Sequence, residues 1–170
     1  MSNIRPENPD DVSDIYAVNV ATFGRENEAR LVDQLRKITS TFSFVAVQDG
    51  QVIGHLFFSP VEIEGNSDNH LVVLGLAPIA VLPEYQNKGV GSRLVQHGLA
   101  AIAQAGCDVV VVLGHPEFYP RFGFIPANTK GLRCEYTVPD DAFMVLELRN
   151  EVLNNCAGII KYHPEFDSCD

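Results

Sequence analysis

Seven consecutive residues carry the most legible chemistry in this chain: Gln86, Asn87, Lys88, Gly89, Val90, Gly91 and Ser92. They follow an apolar run that ends at Leu82, and a helical pattern follows them. A buried strand that feeds a glycine-containing loop opening onto a helix is suited to holding an anion. The first N–H groups of a helix have no partner within it, and its dipole favours negative charge there. Gly89 and Gly91 let a phosphate approach backbone that a Cβ would obstruct. The spacing is neither G-x-x-x-x-G-K-[ST] nor G-x-G-x-x-G, so the loop is neither a P-loop nor a dinucleotide fingerprint. A second cluster is Tyr119-Pro120-Arg121-Phe122-Gly123-Phe124, a tyrosine on a short helical segment closed by a glycine.

The elements that must position these groups can be read in order. Ile4-Arg5-Pro6 predicts a short strand, and Asn8-Pro9-Asp10-Asp11 a helix start with proline and acids in its first turn. Val12, Ile15, Val18 (or Tyr16) and Phe23 recur at helical spacing, which predicts a helix to about Thr22, and Gly24-Arg25-Glu26 breaks the pattern. A second helix begins near Asn27, with Leu31, Leu35 and Ile38 as its apolar face. A strand over 42–48 leads to Asp49-Gly50, a strong hairpin signal, and a return strand over 51–64 bends near Ser59-Pro60. After a turn at 65–69 comes a strand over 70–82, in which Pro78 implies a bulge or a local break in pairing.

The helix after the loop spans about 89–104, with Leu94, Val95, Leu99 and Ile102 facing the core and Gly106 as its stop. Residues 108–113 run Asp-Val-Val-Val-Val-Leu, which predicts a strand buried on both faces and a right-handed crossover from the strand before the loop. Gly114-His115-Pro116-Glu117 opens a short helix that ends at Gly123. Weak strands follow around Cys134 and over 143–148, and 158–162 predicts a short added strand. There are no repeats, and the expectation is a single domain over 1–170.

Composition narrows the class. With 170 residues, 46% hydrophobic and 20% charged, the chain is globular and long enough for a substantial core. A net charge of −10 argues against nucleic acid and anionic membranes as partners, while Lys88 and Arg93 supply local positive charge at the loop. No run approaches a membrane span, and the N-terminus does not read as a signal peptide. Cys107, Cys134, Cys156 and Cys169 are scattered without C-x-x-C, so neither a metal site nor a disulfide framework is expected, and a reduced, cytoplasmic protein fits best.

The hexapeptide Gln86-Asn87-Lys88-Gly89-Val90-Gly91 fits Q/R-x-x-G-x-G/A, the pyrophosphate-binding signature of the GNAT superfamily of N-acetyltransferases. Tyr119 with Gly123-Phe124 fits the superfamily's Y-x-x-x-G-F, and the element order β-α-α-β-β-β-α-β-α-β-β is similar over nearly the whole chain. Further features resemble its YhbS-like branch: Phe23, Glu28, Leu31-Val32 and Leu35-Arg36, then Gly54-His55 with Phe58-Ser59-Pro60-Val61. The resemblance implies an α/β (α+β) acyl-CoA N-acyltransferase fold, a central mixed twisted sheet splayed between its fourth and fifth strands, with helices on both faces.

It also implies transfer of the acetyl group of acetyl-CoA to a primary amine of a small molecule or peptide, by direct attack in a ternary complex and without a metal. On that resemblance pantetheine pairs with backbone of Ile79, Ala80 and Val81, the Val81 N–H meets the acetyl carbonyl, and pyrophosphate sits on Asn87 to Ser92. Tyr119 then contacts the cofactor and acts as general acid toward the thiolate. Relatives often carry a glutamate on the strand before the loop, but residues 72–82 hold no acid here. Glu28 is the candidate base, with N-terminal helix charge as the competing reading of the same residue. His55 reads first as a satisfied core histidine, His70 as solvated, and Arg25 and Glu26 as a solvated loop. Two alternatives stay open: a non-catalytic acyl-CoA-binding or regulatory module, and a longer acyl donor. Assembly as a homodimer is one option.

Overall fold

The computed structural model describes residues 2–65, 70–154 and 156–168. Asn66 to Asn69 of the expected turn, and Cys169, lie outside the described residues. The elements are β1 (Asn3–Pro6), α1 (Val12–Phe23), α2 (Asn27–Leu35), β2 (Phe42–Gln48), β3 (Gln51–Pro60), β4 (Glu62–Glu64), β5 (Val73–Val81), α3 (Val90–Gln104), β6 (Val109–Leu113), β7 (Ile125–Pro126), β8 (Leu132–Cys134), β9 (Phe143–Glu147) and β10 (Gly158–Lys161). A mixed seven-stranded sheet has the order β1-β2-β3-β5-β6-β9-β7, and β4-β10-β8 form a second sheet. No helix among the described residues is long and apolar enough to cross a membrane.

The chain divides into two compact units. The first comprises Met1–Ser59, Ala77–Ala101 and Pro164–Asp170. Here β1 and β3 flank β2 in antiparallel register. Asp49 and Gly50 both take positive φ, 52° and 77°, and Gln48 pairs with Gln51. This is the two-residue hairpin expected of Asp-Gly, because its turn needs left-handed backbone at both positions. Helix α1 ends where Gly24 turns left-handed at φ 69° and its N–H bonds to Val20 O at 2.8 Å. Ile15 and Val18 of α1 and Leu31, Val32 and Leu35 of α2 close on Val45, Val52, Phe57 and Ala80.

The second unit comprises Pro60–Leu76 and Ile102–His163. The parallel pairing of β5 with β6 runs from Val73–Val109 to Gly75–Val111. Strand β9 pairs antiparallel with β6 over its full length. The Val run of β6 is buried on both faces as its composition predicts, and Val109 and Val111 pack with Leu132, Phe143, Val145 and Ile160.

Three boundaries differ from expectation. The return strand over 51–64 is broken at Val61, because Pro60 has no N–H to continue a ladder and the Val61 N–H turns to Val73 O at 3.1 Å. Its last three residues, β4, enter the small sheet, which the sequence reading did not anticipate. The strand expected from residue 70 begins at Val73. Before it, the Val72 N–H is captured by the Asp108 carboxylate at 2.8 Å, so that amide is taken by a side chain instead of a ladder. Gly114 to Glu117 open no helix, and only a 3-10 turn over Tyr119–Phe122 forms, stopped by Gly123 at φ 101°.

Candidate functional site

Strand β5 ends with its backbone alternating between two edges. The Leu82 N–H donates to Ile53 O of β3 at 2.9 Å. Ala80 O also faces β3, lying 3.3 Å from where a Cβ on Gly54 would stand. In a trans peptide the N–H opposes the carbonyl, so the Val81 N–H points to the other edge. The Val81 carbonyl lies on that same edge, since N–H and C=O of one strand residue share a side. It accepts from Gln86 Nε2 at 2.9 Å and faces Thr22 Oγ at 3.0 Å.

A 3-10 turn over Pro83–Tyr85 follows, and then the exposed loop. Asn87 and Gly89 take positive φ, 62° and 86°. The first α3 hydrogen bond runs from Arg93 N to Gly89 O at 3.1 Å, so the amides of Gly89, Val90 and Gly91 have no acceptor within the helix. The helix dipole adds favourable potential for an anion there, worth about 0.3–1 kcal/mol at an exposed end. A Cβ on Gly89 would reach 3.5 Å from the Arg93 guanidinium. Lys88 Nζ lies 5.9 Å from the Tyr85 ring centroid. The arrangement of bare backbone, donors and two cations fits a phosphate or pyrophosphate group. Arg93 does not project wholly to solvent: its Nε is buried without a partner and its terminal nitrogen bonds to Ser2 Oγ.

Glu28 stands in the first turn of α2, and Arg25 grips its carboxylate with two bonds of 3.0 and 2.6 Å. Glu26 pairs with Arg30 at 2.8 Å and accepts from the Tyr16 hydroxyl at 2.8 Å. His55 is fully buried, with Nδ1 3.2 Å from Asn19 Nδ2 and Nε2 2.9 Å from Ser43 Oγ. Ser43 Oγ donates onward to Glu7 at 2.7 Å, so it accepts from His55 Nε2–H, and Nδ1 is the unprotonated nitrogen. His55 is thus a satisfied core residue, its pKa lowered to about 3 by burial and by the Arg36 charge. His70 is exposed.

Tyr119, in the second unit, is buried at the head of its 3-10 turn. Its ring meets Phe118 and Phe124 edge-on at 5.0 and 5.6 Å between centroids. The ring lies across Gly114, where an added Cβ would come within 2.5 Å of Tyr119 Cε2. Burial pushes the phenol up to about 12, so it keeps its proton at neutral pH. Burial likewise pushes the Cys107 thiol up to about 11, and Cys107 and Cys134 are free thiols. No cluster of metal-ligating side chains occurs among the described residues.

The loop, its helix start and the end of β5 are therefore adjacent, and Glu28 is committed to an ion pair. Sequence reading missed Thr22, the inward turn of the Gln86 side chain, and the need for glycine at 114. The Gly114 signal was available in principle, as a glycine between a buried strand and a tyrosine.

Residues 3–127 match the family model described as an acetyltransferase (GNAT) domain. The chain is 39% identical over 166 residues to the uncharacterised N-acetyltransferase YhbS of Escherichia coli (strain K12), covering 96% of this chain and 98% of that one. The crystal structure of a GNAT family N-acetyltransferase (YhbS) from Escherichia coli in complex with CoA superposes with a TM-score of 0.89 at 38% identity, over 98% of this chain and 92% of that one. A GNAT family acetyltransferase from Brucella melitensis in complex with acetyl-CoA gives 0.78 at 34% identity, over 98% and 99%.

Proposed function

This chain belongs to the GNAT acetyltransferase family, and from that premise we propose that it transfers the acetyl group of acetyl-CoA to a primary amine of a small molecule or peptide, by direct attack within a ternary complex. The observation that carries the reading is the start of α3: amides without helical acceptors beside positive-φ Gly89, where a pyrophosphate can lie against backbone. Relatives solved with CoA and acetyl-CoA support reading that anion as the pyrophosphate of the acetyl donor.

Acetyl-CoA supplies a thioester whose carbonyl the amine attacks and whose sulfur leaves with the bonding pair. The chain's own groups must then do four things. The edge of β5 bearing Ile79 and Val81 holds pantetheine as another strand would be held, and the Val81 N–H donates to the carbonyl oxygen as negative charge grows on it. The Tyr119 hydroxyl donates its proton toward the leaving sulfur. Glu28 takes the ammonium proton, directly or through water, through lone pairs that the Arg25 fork leaves open. Holding both reactants together supplies much of the acceleration.

A second reading, an acyl-CoA-binding module without turnover, draws support from β5 itself, whose residues Val73–Val81 include no acid. One experiment separates the two: thiol release from acetyl-CoA is followed against a panel of amines, with CoA binding measured by calorimetry on the same protein. Amine-dependent thiol release supports the transferase. Tight CoA binding with no release above hydrolysis, across the panel, supports the binding module.

A further inference from the structure

The Q/R position of the loop signature is read as part of a phosphate site, but the Gln86 side chain turns away from the loop. Its Nε2 reaches back five residues to the Val81 carbonyl at 2.9 Å, across the 3-10 turn over Pro83–Tyr85. Thr22 Oγ stands 3.0 Å from the same carbonyl oxygen. That hydroxyl also lies 2.7 Å from Val18 O, and its single proton serves one acceptor at a time, so Gln86 is the committed donor. On the other side of the same peptide unit, the Leu82 N–H is fixed to Ile53 O at 2.9 Å. The Val81–Leu82 peptide plane is therefore pinned at both ends. Pinning it gives the Val81 Cα a fixed plane on one side, against which φ and ψ of Val81 orient the adjoining plane that carries the Val81 N–H.

We propose that Gln86 is a positioning residue: its side-chain amide clamps the Val81 carbonyl, with Thr22 as auxiliary, and so aims the Val81 N–H at the acyl oxygen. This rests on the acetyltransferase reading above. It accounts for the residue type, because glutamine and arginine both present N–H donors on a long stem. Glutamate of the same length presents none and would repel the carbonyl.

The test compares Gln86→Leu, Gln86→Arg, Thr22→Val and Thr22→Ser in the full chain. A donor misaimed but not removed costs less than the ~10²–10³-fold of deleting an oxyanion donor, so Gln86→Leu should lower kcat about tenfold. CoA affinity should stay within about twofold, because backbone amides hold the phosphates. Gln86→Arg restores kcat, and Thr22→Ser behaves as wild type. Thr22→Val combined with Gln86→Leu should cost more than the product of the single losses, since each donor covers for the other. If Gln86→Leu weakens CoA binding while kcat holds, Gln86 is a phosphate contact and the proposal is overturned.

A readout free of turnover accompanies this. The Val81 carbonyl 13C resonance should move upfield in Gln86→Leu without ligand, and an unmoved resonance overturns the clamp. Failure of the wild-type chain to bind CoA or transfer acetyl groups refutes the underlying reading and removes the positioning role with it. The carbonyl shift then reports the clamp alone.

Discussion

His55 makes acid the most specific stress on this fold. Its ring is enclosed between Asn19 and Ser43, with no exposed surface, and its neutral form satisfies both neighbours. The charged groups bearing on it are Arg36, which opposes protonation, and Glu7, reached through Ser43. The folded pKa of about 3 lies below the unfolded value of 6.5. Between those values the unfolded chain binds the extra proton, so the stabilisation is complete above about pH 6.5 and is lost as pH falls toward 3. Each unit is worth about 1.4 kcal/mol, so acidification from pH 7 to pH 5 removes about 2 kcal/mol. For a chain of this size that is a fall of about 4–8 °C in Tm.

Two carboxyls held below their ordinary values enter lower down. For Asp11 the cause is the Arg5 bond; for Glu147, burial is outweighed by the Leu153 amide and Lys130. Both act below about pH 4.5 and leave the window from 5 to 7 to His55. Urea unfolding at pH 7, 6 and 5 on wild type and His55→Gln measures the effect. The variant should start less stable yet lose about 2 kcal/mol less across the range. Parallel losses in the two proteins would show that His55 does not titrate with unfolding and would refute the reasoning.

Three further outcomes are expected. Gly89→Val or Gly91→Val should weaken CoA binding at least tenfold by calorimetry, on the order of 1.4 kcal/mol, because a branched Cβ enters the phosphate's approach and Gly89 sits at φ 86°; unchanged affinity in both removes the site assignment. Tyr119→Phe keeps the ring packing on Phe118 and Phe124 and should lower kcat by ~10²-fold, the lower end for a general acid because a thiolate leaves readily; full turnover in a chemistry-limited step returns Tyr119 to a packing role. Cys107, pushed up to about 11 by burial, should resist alkylation in the native protein at pH 8 and react on unfolding, and mass spectrometry during turnover should find no acetylated cysteine.

Local signals carried much of the architecture into the sequence. Asp49-Gly50 specified its turn because few residue pairs accept two successive positive φ values. The unbroken valines of β6 marked burial on both faces. The loop after Leu82 was visible because glycine spacing is a backbone property. The small sheet was not visible, because β4, β8 and β10 have only three or four residues each, and β4 owes its pairing to a partner nearly a hundred residues away. Side-chain commitments were equally hidden. Nothing in the string says that Arg25 would close on Glu28, or that Gln86 would turn inward to Val81. Both depend on backbone directions that the fold fixes.

The interleaving of the two units has a consequence for how the protein is made. The chain passes from one unit to the other at residues 59, 76, 101 and 163, so neither unit is a contiguous stretch. Strand β10, central in the small sheet, is synthesised after the strands it joins. Phe166, which packs against the α1–α2 core, comes later still. A nascent chain of about 150 residues therefore holds two incomplete cores, with β4 and β8 lacking the strand that joins them. Such long-range closure slows folding and leaves apolar surface exposed meanwhile. Truncation just before Gly158 should consequently injure both units at once, and a nascent chain should depend on chaperones until residues 158–166 have emerged.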